Sequence, residues 1–348
     1  MSIDRENDKE YMSCVHPREN RYYTISLVVS IILWIIFTIV TFGMGLLYVG
    51  FGAFAILIGH AVFIANIKGY GMKITERQFP ELYTIVKNTS TRLGLQKIPE
   101  VYMYNMNGVF NAFAMQVLSR NFIVLTTTIM DACDGDNKKI EFIIAHEMTH
   151  LQRKHTKRQA ILAPSRLVPW LGNAYSRACE NTCDGVAGKF IMNDKEQAIK
   201  SALILPTADK KRADAVNIDA YEEQRKESGG FWMTLVEIGA SHPFSFNRVA
   251  FLRNIFGDDV PKVSRSFWGT LLSPFFSIQM VIGVYIVIIM VFVAKGYMEA
   301  SENTVSEQSR MSDYSSPYDR NDSIKNEDGY SGSWDTEYSS ENTTPSER

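Results

Sequence analysis

Three long apolar runs constrain the fold of this chain more than any other feature of its sequence. They cover residues 25–42, 46–67 and 275–293 and contain no Asp, Glu, Lys or Arg. A helix of about 20 apolar residues crosses the hydrocarbon core of a bilayer. Residues 43–45 are too short for a domain, so the first two runs are predicted to form a transmembrane hairpin. The polar residues 1–23 argue against a cleaved secretory signal.

Basic residues beside these runs predict how the chain crosses the membrane, because Lys and Arg favour the cytoplasmic side. They lie before the first run, after the second and before the third, whereas Glu299 and Glu302 follow the third run soon after Lys295. The N-terminus and the region between the second and third runs are therefore predicted to be cytoplasmic, and the C-terminal tail to lie on the opposite side. The basic residues are Arg18, Arg21, Lys68, Lys73, Arg77, Lys262 and Arg265.

Composition divides the rest of the chain into a globular region and a tail. The tail is rich in Ser, Asp, Glu and Asn and has too few apolar residues to offset its ordering entropy, which predicts disorder. The formal net charge of −2 gives no sign of nucleic-acid binding. The predicted divisions are an N-terminal cytoplasmic segment at 1–23, a membrane hairpin at 24–67, a metal-binding domain at 68–270, a third span at 275–295 and an acidic tail at 300–348.

The segment His146-Glu147-Met148-Thr149-His150 carries the pattern H-E-x-x-H. Residues four apart share a helix face, so His146 and His150 can direct two imidazole nitrogens at one metal ion. Glu147 can reach a metal-bound water without being a ligand. His155, five residues beyond His150, is expected to be rotated off the ligand face. A surface helix with two chance histidines remains the alternative for the motif alone.

A catalytic zinc requires three protein ligands and one open position. Glu180 and Asp184 are four apart and share a predicted helix face. One of them could bind the metal, while the other accepts the ring N–H of a ligand histidine. On spacing alone, two solvated acids are the simpler interpretation. Cys179 and Cys183, also four apart, are expected to be packing residues, because thiolate sites usually bring more cysteines.

The predicted fold is α+β, with a small sheet ahead of the metal-binding helix. Runs of β-branched and aromatic residues predict three strands, and apolar spacing predicts an amphipathic helix before them. Asn173 is the expected N-cap of the helix that carries residues 176–187. The predicted helix is 81–93, and the predicted strands are 101–104, 109–115 and 122–128.

Four blocks of sequence resemble the membrane-embedded zinc metalloproteases that include the HtpX heat-shock protease and the CAAX prenyl endopeptidases. The blocks stand in the order found in that family and cover roughly residues 75–255. They are Asn111-Ala112-Phe113-Ala114, the H-E-x-x-H segment, Ser176-Arg177-x-x-Glu180-x-x-x-Asp184, and His242-Pro243 followed by Arg248.

The resemblance implies a gluzincin-like domain that binds one Zn²⁺ through His146, His150 and Glu180. It implies Asp184 as the neighbour that orients a ligand. It also implies that the strand Asn111-Ala112-Phe113-Ala114 lies at a sheet edge and pairs with the substrate backbone, as in β-addition.

Glu147 is then the general base, and His242 and Arg248 are the candidates for stabilising the oxyanion. The three predicted spans are fewer than those that build the chamber of the CAAX enzymes and fewer than the four spans of HtpX. A different arrangement of membrane helices is therefore expected.

The expected function is that of a membrane-bound zinc metalloendopeptidase acting on peptide or membrane-protein substrates, in quality control or processing. One alternative is a CAAX-type prenyl-protein endopeptidase. The other is a catalytically silent zinc-binding scaffold, for which Cys183 would have to be a fourth ligand. Three ligands together with an intact Glu147 favour catalysis.

Overall fold

The computed structural model describes most of the chain. Residues Met1–Ile286 belong to one compact unit and Val287–Arg348 to another. In the second unit, residues 295–307 are helical, so a helix extends past the predicted tail boundary at residue 300. Met298, Glu299 and Ala300 are good helix formers. The predicted third span and most of the tail lie outside the described residues, which are 5–117, 120–275, 285, 288, 291–292, 295–307 and 310.

Two long apolar helices follow one short polar helix at the start of the chain. Helix α1 is Arg5–Cys14, α2 is Glu19–Val40 and α3 is Met44–Tyr70. By length and composition, α2 and α3 are able to cross a membrane. Gly43 joins them with φ +79°, a backbone conformation that glycine adopts without steric cost. Most apolar side chains of both helices are exposed, which indicates association with a membrane.

The N-terminal residues pack against the globular region and do not form a separate segment. Cys14 is fully buried, and its carbonyl oxygen would lie 2.5 Å from a Cβ added at Gly185. Only glycine permits this approach. The Tyr11 hydroxyl donates a hydrogen bond to Oε1 of Gln152 at 2.6 Å. The composition of residues 1–23 gave no indication of this packing, because few apolar residues carry it.

The sheet has four strands in the order β1-β2-β4-β3. Strands β2 and β4 are parallel, and the other neighbours are antiparallel, so β3 forms one edge. The predicted strand at 122–128 ends earlier because a helix starts at Thr127. The strands are β1 Met72–Lys73, β2 Glu100–Tyr104, β3 Ala112–Val117 and β4 Arg120–Thr126.

One face of this sheet packs against later helices of the domain, and the other face packs against the end of α3. The helices before and around the H-E-x-x-H segment are α4 Pro80–Arg92, α5 Thr127–Cys133, α6 Asn137–Gln152, α7 His155–Ile161 and α8 Leu171–Gly185. A π-helical stretch, Val186–Met192, continues α8, and 3₁₀ turns cover Ala163–Leu167 and Glu227–Gly229. The later helices are α9 Lys195–Ala202, α10 Ile204–Thr207, α11 Lys210–Ala215, α12 Ile218–Lys226, α13 Phe231–Gly239, α14 Ser245–Ile255 and α15 Phe267–Leu272.

Helix α6 carries the H-E-x-x-H segment through the centre of the domain. It begins at an N-cap, Asp136, whose side chain accepts hydrogen bonds from the backbone N–H groups of Lys138 and Lys139. Ile144 and Met148 are completely buried on its apolar face. Burial of each such side chain stabilises the fold by about 1.5–3 kcal/mol. The histidine pair is therefore placed by a helix whose apolar face lies in the core.

Helix α8 starts earlier than its predicted cap. Trp170 occupies the N-cap position, and Asn173 lies inside the first turn. The Asn173 side chain donates instead to the carbonyl oxygen of Gly239 at 2.7 Å. The expected cap is wrong because the helix already begins at Leu171. The local sequence does not reveal the long-range hydrogen bond that the Asn173 amide makes.

Candidate metal centre

Three side chains bring their donor atoms to one point between α6 and α8. The two Nε2 atoms of His146 and His150 are 3.3 Å apart. The Glu180 carboxylate lies 3.2 Å from the first of them and 3.5 Å from the second. Tetrahedral zinc with bonds of about 2.0–2.1 Å holds its ligand atoms about 3.3 Å apart. The observed triangle therefore has the size that a zinc ion requires.

The charge on these side chains also suits a divalent cation. Burial raises the pKa of Glu180, but the hydrogen bond to His146 and the charge of His150 outweigh it and hold the pKa well below its usual range. Burial lowers the pKa of His146, yet its hydrogen bonds with Asp184 and Glu180 raise it to about 10. Two carboxylates thus favour positive charge at this point, and a metal ion supplies that charge.

His146 is oriented from behind by Asp184. The ring Nδ1 donates to Oδ1 of Asp184 at 2.9 Å, so Nε2, which faces Glu180, is the nitrogen available to a metal ion in place of a proton. Arg248 in turn donates to both carboxylate oxygens of Asp184, at 2.7 and 2.6 Å. Asp184 is fully buried, so this bidentate pair holds a charge that water cannot reach. The predicted oxyanion role of Arg248 stays a prediction, and the geometry adds a role in holding Asp184.

Replacing Arg248 by methionine is expected to lower the free energy of unfolding by about 3 kcal/mol, because it leaves a buried carboxylate without its main partner. Arg253→Met is the matched control on the same helix, since Arg253 is partly exposed and pairs with the surface residue Asp258 at 3.0 Å. Such a pair contributes less than about 1 kcal/mol. Urea unfolding followed by circular dichroism measures the free energy of unfolding of both variants. Equal losses of stability would contradict the role of Arg248 in holding Asp184.

His155 contacts the far side of His150. The two Nδ1 atoms are 3.0 Å apart, and His155 is almost completely buried. Its contact is with Nδ1 of His150 and not with Nε2, the nitrogen that faces Glu180. The contact between His155 and His150 was not predicted, because the spacing was interpreted on a continuous helix. Helix α6 ends at Gln152, and Lys154 adopts φ +57°, which turns the chain back toward His150.

A cavity of about 440 Å³ opens over the three donor atoms. Glu147 lines it beside Ala114 of the edge strand. Burial raises the pKa of Glu147 to about 7, a range suited to a general base near neutral pH. The edge strand supplies one wall through Asn111, Ala112, Phe113 and Ala114. The residues of the predicted substrate strand and the predicted base thus lie together.

His242 lies at the exposed mouth of this cavity. Its Nε2 is 3.5 Å from Oε1 of Glu180, and its side chain is 65% exposed. The segment before it is held by Arg177, which donates to the carbonyl oxygens of Glu237, Ile238 and Ala240. Arg177 belongs to one of the matching sequence blocks but had no predicted role. Its position in that block, three residues before Glu180, was the available signal.

Cys183 also lies near both histidines. Its sulfur and one nitrogen of each of His146 and His150 are within 4.8 Å of one another. The sulfur lies 3.8 Å from Nδ1 of His155, the atom that contacts Nδ1 of His150. Burial raises the pKa of this thiol well above its ordinary value. The Glu180 carboxylate faces the two Nε2 atoms directly, at 3.2 and 3.5 Å.

An H-E-x-x-H helix, a buried carboxylate from a second helix and a cleft walled by an edge strand together define a site of the metallopeptidase class. Residues 76–256, about half of the chain, match the model of Peptidase family M48. The chain belongs to this family, which confirms the relationship that the four sequence blocks indicated. The comparisons with curated proteins and with solved structures give no match.

Proposed function

We propose that this chain is a membrane-bound zinc metalloendopeptidase that cleaves peptide or membrane-protein substrates close to the bilayer. The proposal rests chiefly on the triangle formed by Nε2 of His146, Nε2 of His150 and the Glu180 carboxylate, whose sides are 3.2–3.5 Å. Imidazole with carboxylate is a donor set that suits zinc, whereas Ca²⁺ and Mg²⁺ prefer oxygen ligands. One zinc ion per chain is therefore proposed.

When bound, zinc acts as a Lewis acid and lowers the pKa of water at its open position. Glu147 accepts a proton from the attacking water and then delivers it to the leaving amine nitrogen. His242 donates a hydrogen bond to the oxygen that becomes negative in the transition state. Asp184 keeps His146 in the tautomer that presents Nε2, and Arg248 keeps Asp184 in place.

The substrate backbone is proposed to add to the outer edge of β3. This strand is paired on one side, by β4, and lies at the end of the sheet. An extended peptide gains backbone hydrogen bonds at such an edge without needing one particular side-chain sequence. Ala114 and Glu147 line the same cavity, which supports binding of the substrate backbone beside the proposed base. Binding in this mode suits an endopeptidase of unfolded segments.

The membrane part of the proposal rests on α2 and α3, whose mean hydropathies are 2.5 and 2.1. The positive charge beside them favours a cytoplasmic catalytic domain. Substrates would then be cytoplasmic segments of membrane proteins, as expected for quality control or processing. The scaffold alternative is disfavoured because the Glu180 carboxylate faces the Nε2 atoms of both histidines, whereas the Cys183 sulfur contacts Nδ1 of His155. A CAAX-type activity would require prenylated substrates, and cleavage of unprenylated segments would argue against it.

Removing the metal from the purified chain in detergent is expected to reduce cleavage of an unfolded protein substrate to background. Adding about one equivalent of Zn²⁺ should restore it, because a single set of three ligands is proposed. Elemental analysis of the untreated protein measures the zinc content. Turnover that continues after chelation, or that returns with Mg²⁺ but not with Zn²⁺, would refute the zinc assignment.

A further inference from the structure

A buried carboxylate at the first residue of α2 lies behind the metal-binding residues. Glu19 is fully buried and is surrounded by groups from α6, α7 and α8. A buried carboxylate is retained only where hydrogen bonds and charges compensate its lost hydration. We name this group the Glu19 cluster. It comprises Glu19, Arg153, His155, Arg158 and Thr182.

Each contact in the Glu19 cluster is within hydrogen-bonding distance. Arg153 donates through Nε at 2.9 Å and through Nη2 at 2.8 Å. Thr182 donates through its hydroxyl at 2.5 Å, and Arg158 approaches at 3.4 Å. Nε2 of His155 lies 3.2 Å from Oε1. The carboxylate is therefore held in one orientation from three helices.

This orientation fixes the tautomer of His155, and His155 in turn fixes the tautomer of His150. A carboxylate can only accept, so His155 must carry its proton on Nε2 to donate to Glu19. Nδ1 of neutral His155 is then an acceptor, and Nδ1 of His150 donates to it across 3.0 Å. His150 consequently has no proton on Nε2, the atom that faces Glu180 at 3.5 Å. This is the form of imidazole that binds a metal.

His146 has a matching arrangement with a different partner. Its Nδ1 donates directly to Asp184, as described above, whereas Nδ1 of His150 donates to His155. Asp184 and Glu180 both belong to α8, but Glu19 belongs to the first apolar helix. The orientation of the second histidine thus depends on the N-terminal part of the chain.

Other contacts hold that part of the chain against the domain. The backbone N–H of His16 donates to the Thr182 hydroxyl at 3.0 Å. Further along α2, the Ser30 hydroxyl accepts from the backbone N–H of Ser165 at 3.2 Å. The Arg158 guanidinium lies over the ring of Tyr23, 4.7 Å from its centroid. The start of α2 is therefore attached on both sides of Glu19.

We propose that Glu19 and His155 are positioning residues for the metal site, and that attachment of the start of α2 is a condition for tight metal binding. The proposal rests on the proposed zinc site. Glu19 acts through His155, which holds His150 in the tautomer and ring orientation required of a ligand. Neither residue is a proposed metal ligand.

Glu19→Gln in the full chain is expected to weaken zinc binding about 10- to 100-fold, the usual effect of removing a group that orients a metal ligand. Competition with a chromophoric chelator measures the affinity. The visible absorption spectrum of the Co²⁺-substituted protein should also change, because the His150 ring is no longer held in one orientation. A general loss of stability would not alter that spectrum in the fraction that binds Co²⁺.

Glu100→Gln serves as the matched control. It removes a carboxylate that also contacts several cations, including Lys73 at 2.9 Å, but lies on β2. It is expected to keep the wild-type zinc affinity and Co²⁺ spectrum. Wild-type behaviour of Glu19→Gln, or an equal change in Glu100→Gln, would overturn the proposal.

Substitutions of His155 test the same proposal if Glu19→Gln fails to fold. His155→Leu removes the acceptor for Nδ1 of His150 and should weaken zinc binding by a similar factor. His155→Gln supplies an amide oxygen as a new acceptor and should recover part of the affinity. Equal affinities of these two variants would overturn the proposal. Because metal binding is measured without turnover, a chain that binds zinc normally but cleaves nothing refutes only the proposed function.

Discussion

Glu147→Gln is expected to reduce the rate of peptide cleavage about 10³-fold while zinc remains bound. A positioned general base contributes about 10²–10⁴ to a hydrolytic rate, and an amide of nearly the same shape cannot accept the proton of water. The ligands His146, His150 and Glu180 are unchanged in this variant. Initial rates on an unfolded protein substrate and elemental analysis of the same sample measure the two effects.

Glu141→Gln is the matched control for this experiment, because Glu141 lies on the same helix and pairs with Lys138 near the surface at 3.3 Å. It should cleave at the wild-type rate. Near-normal turnover of Glu147→Gln would reject Glu147 as the base. Proteomics of membranes that contain either wild type or Glu147→Gln would then identify substrates, since proteins that accumulate only with the inactive variant depend on this chemistry.

Glu180→Ala is expected to lose both zinc and activity. The substitution removes one of three ligands, so its effect on zinc affinity should exceed the 10- to 100-fold effect of losing an orienting residue. It also leaves His146 and His150 without the carboxylate that lies 3.2 and 3.5 Å from their Nε2 atoms. Equilibrium dialysis against buffered zinc measures the affinity, and a peptidase assay measures the activity.

Cys183→Ala provides the comparison that identifies the third ligand. If Glu180 is the ligand, this variant keeps its zinc and its activity, because the thiol makes only a weak contact with His155 at 3.8 Å. The reverse result, with zinc kept in Glu180→Ala and lost in Cys183→Ala, would reject the proposed ligand set. It would favour a structural metal site with a cysteine ligand.

Local patterns in the sequence were sufficient for the central helix and the family. His146 and His150 share a face because a helix repeats every 3.6 residues, and the apolar stripe through Ile144 and Met148 is buried as that spacing requires. The four motif blocks spanned nearly the same residues as the family match at 76–256. Both inferences use information within a few turns of helix or within contiguous motifs.

The contacts around Glu19 were not predictable in the same way. Nothing in the composition of residues 1–23 distinguishes a carboxylate that becomes buried from one that stays solvated. The contact of His155 with His150 was not predicted, because the spacing argument assumed a continuous helix, whereas Lys154 interrupts it with φ +57°. Asn173 was misjudged as a cap because its real partner, Gly239, is distant in sequence. Each case depends on the tertiary fold rather than on periodicity.

The burial of Glu19 among catalytic-domain helices has a consequence for where proteolysis can occur. A fragment that begins after α3 would lack both apolar helices and Glu19 together. On the proposal above, such a fragment would bind its metal weakly. Loss of the two apolar helices and loss of the hydrolytic centre would then be one event.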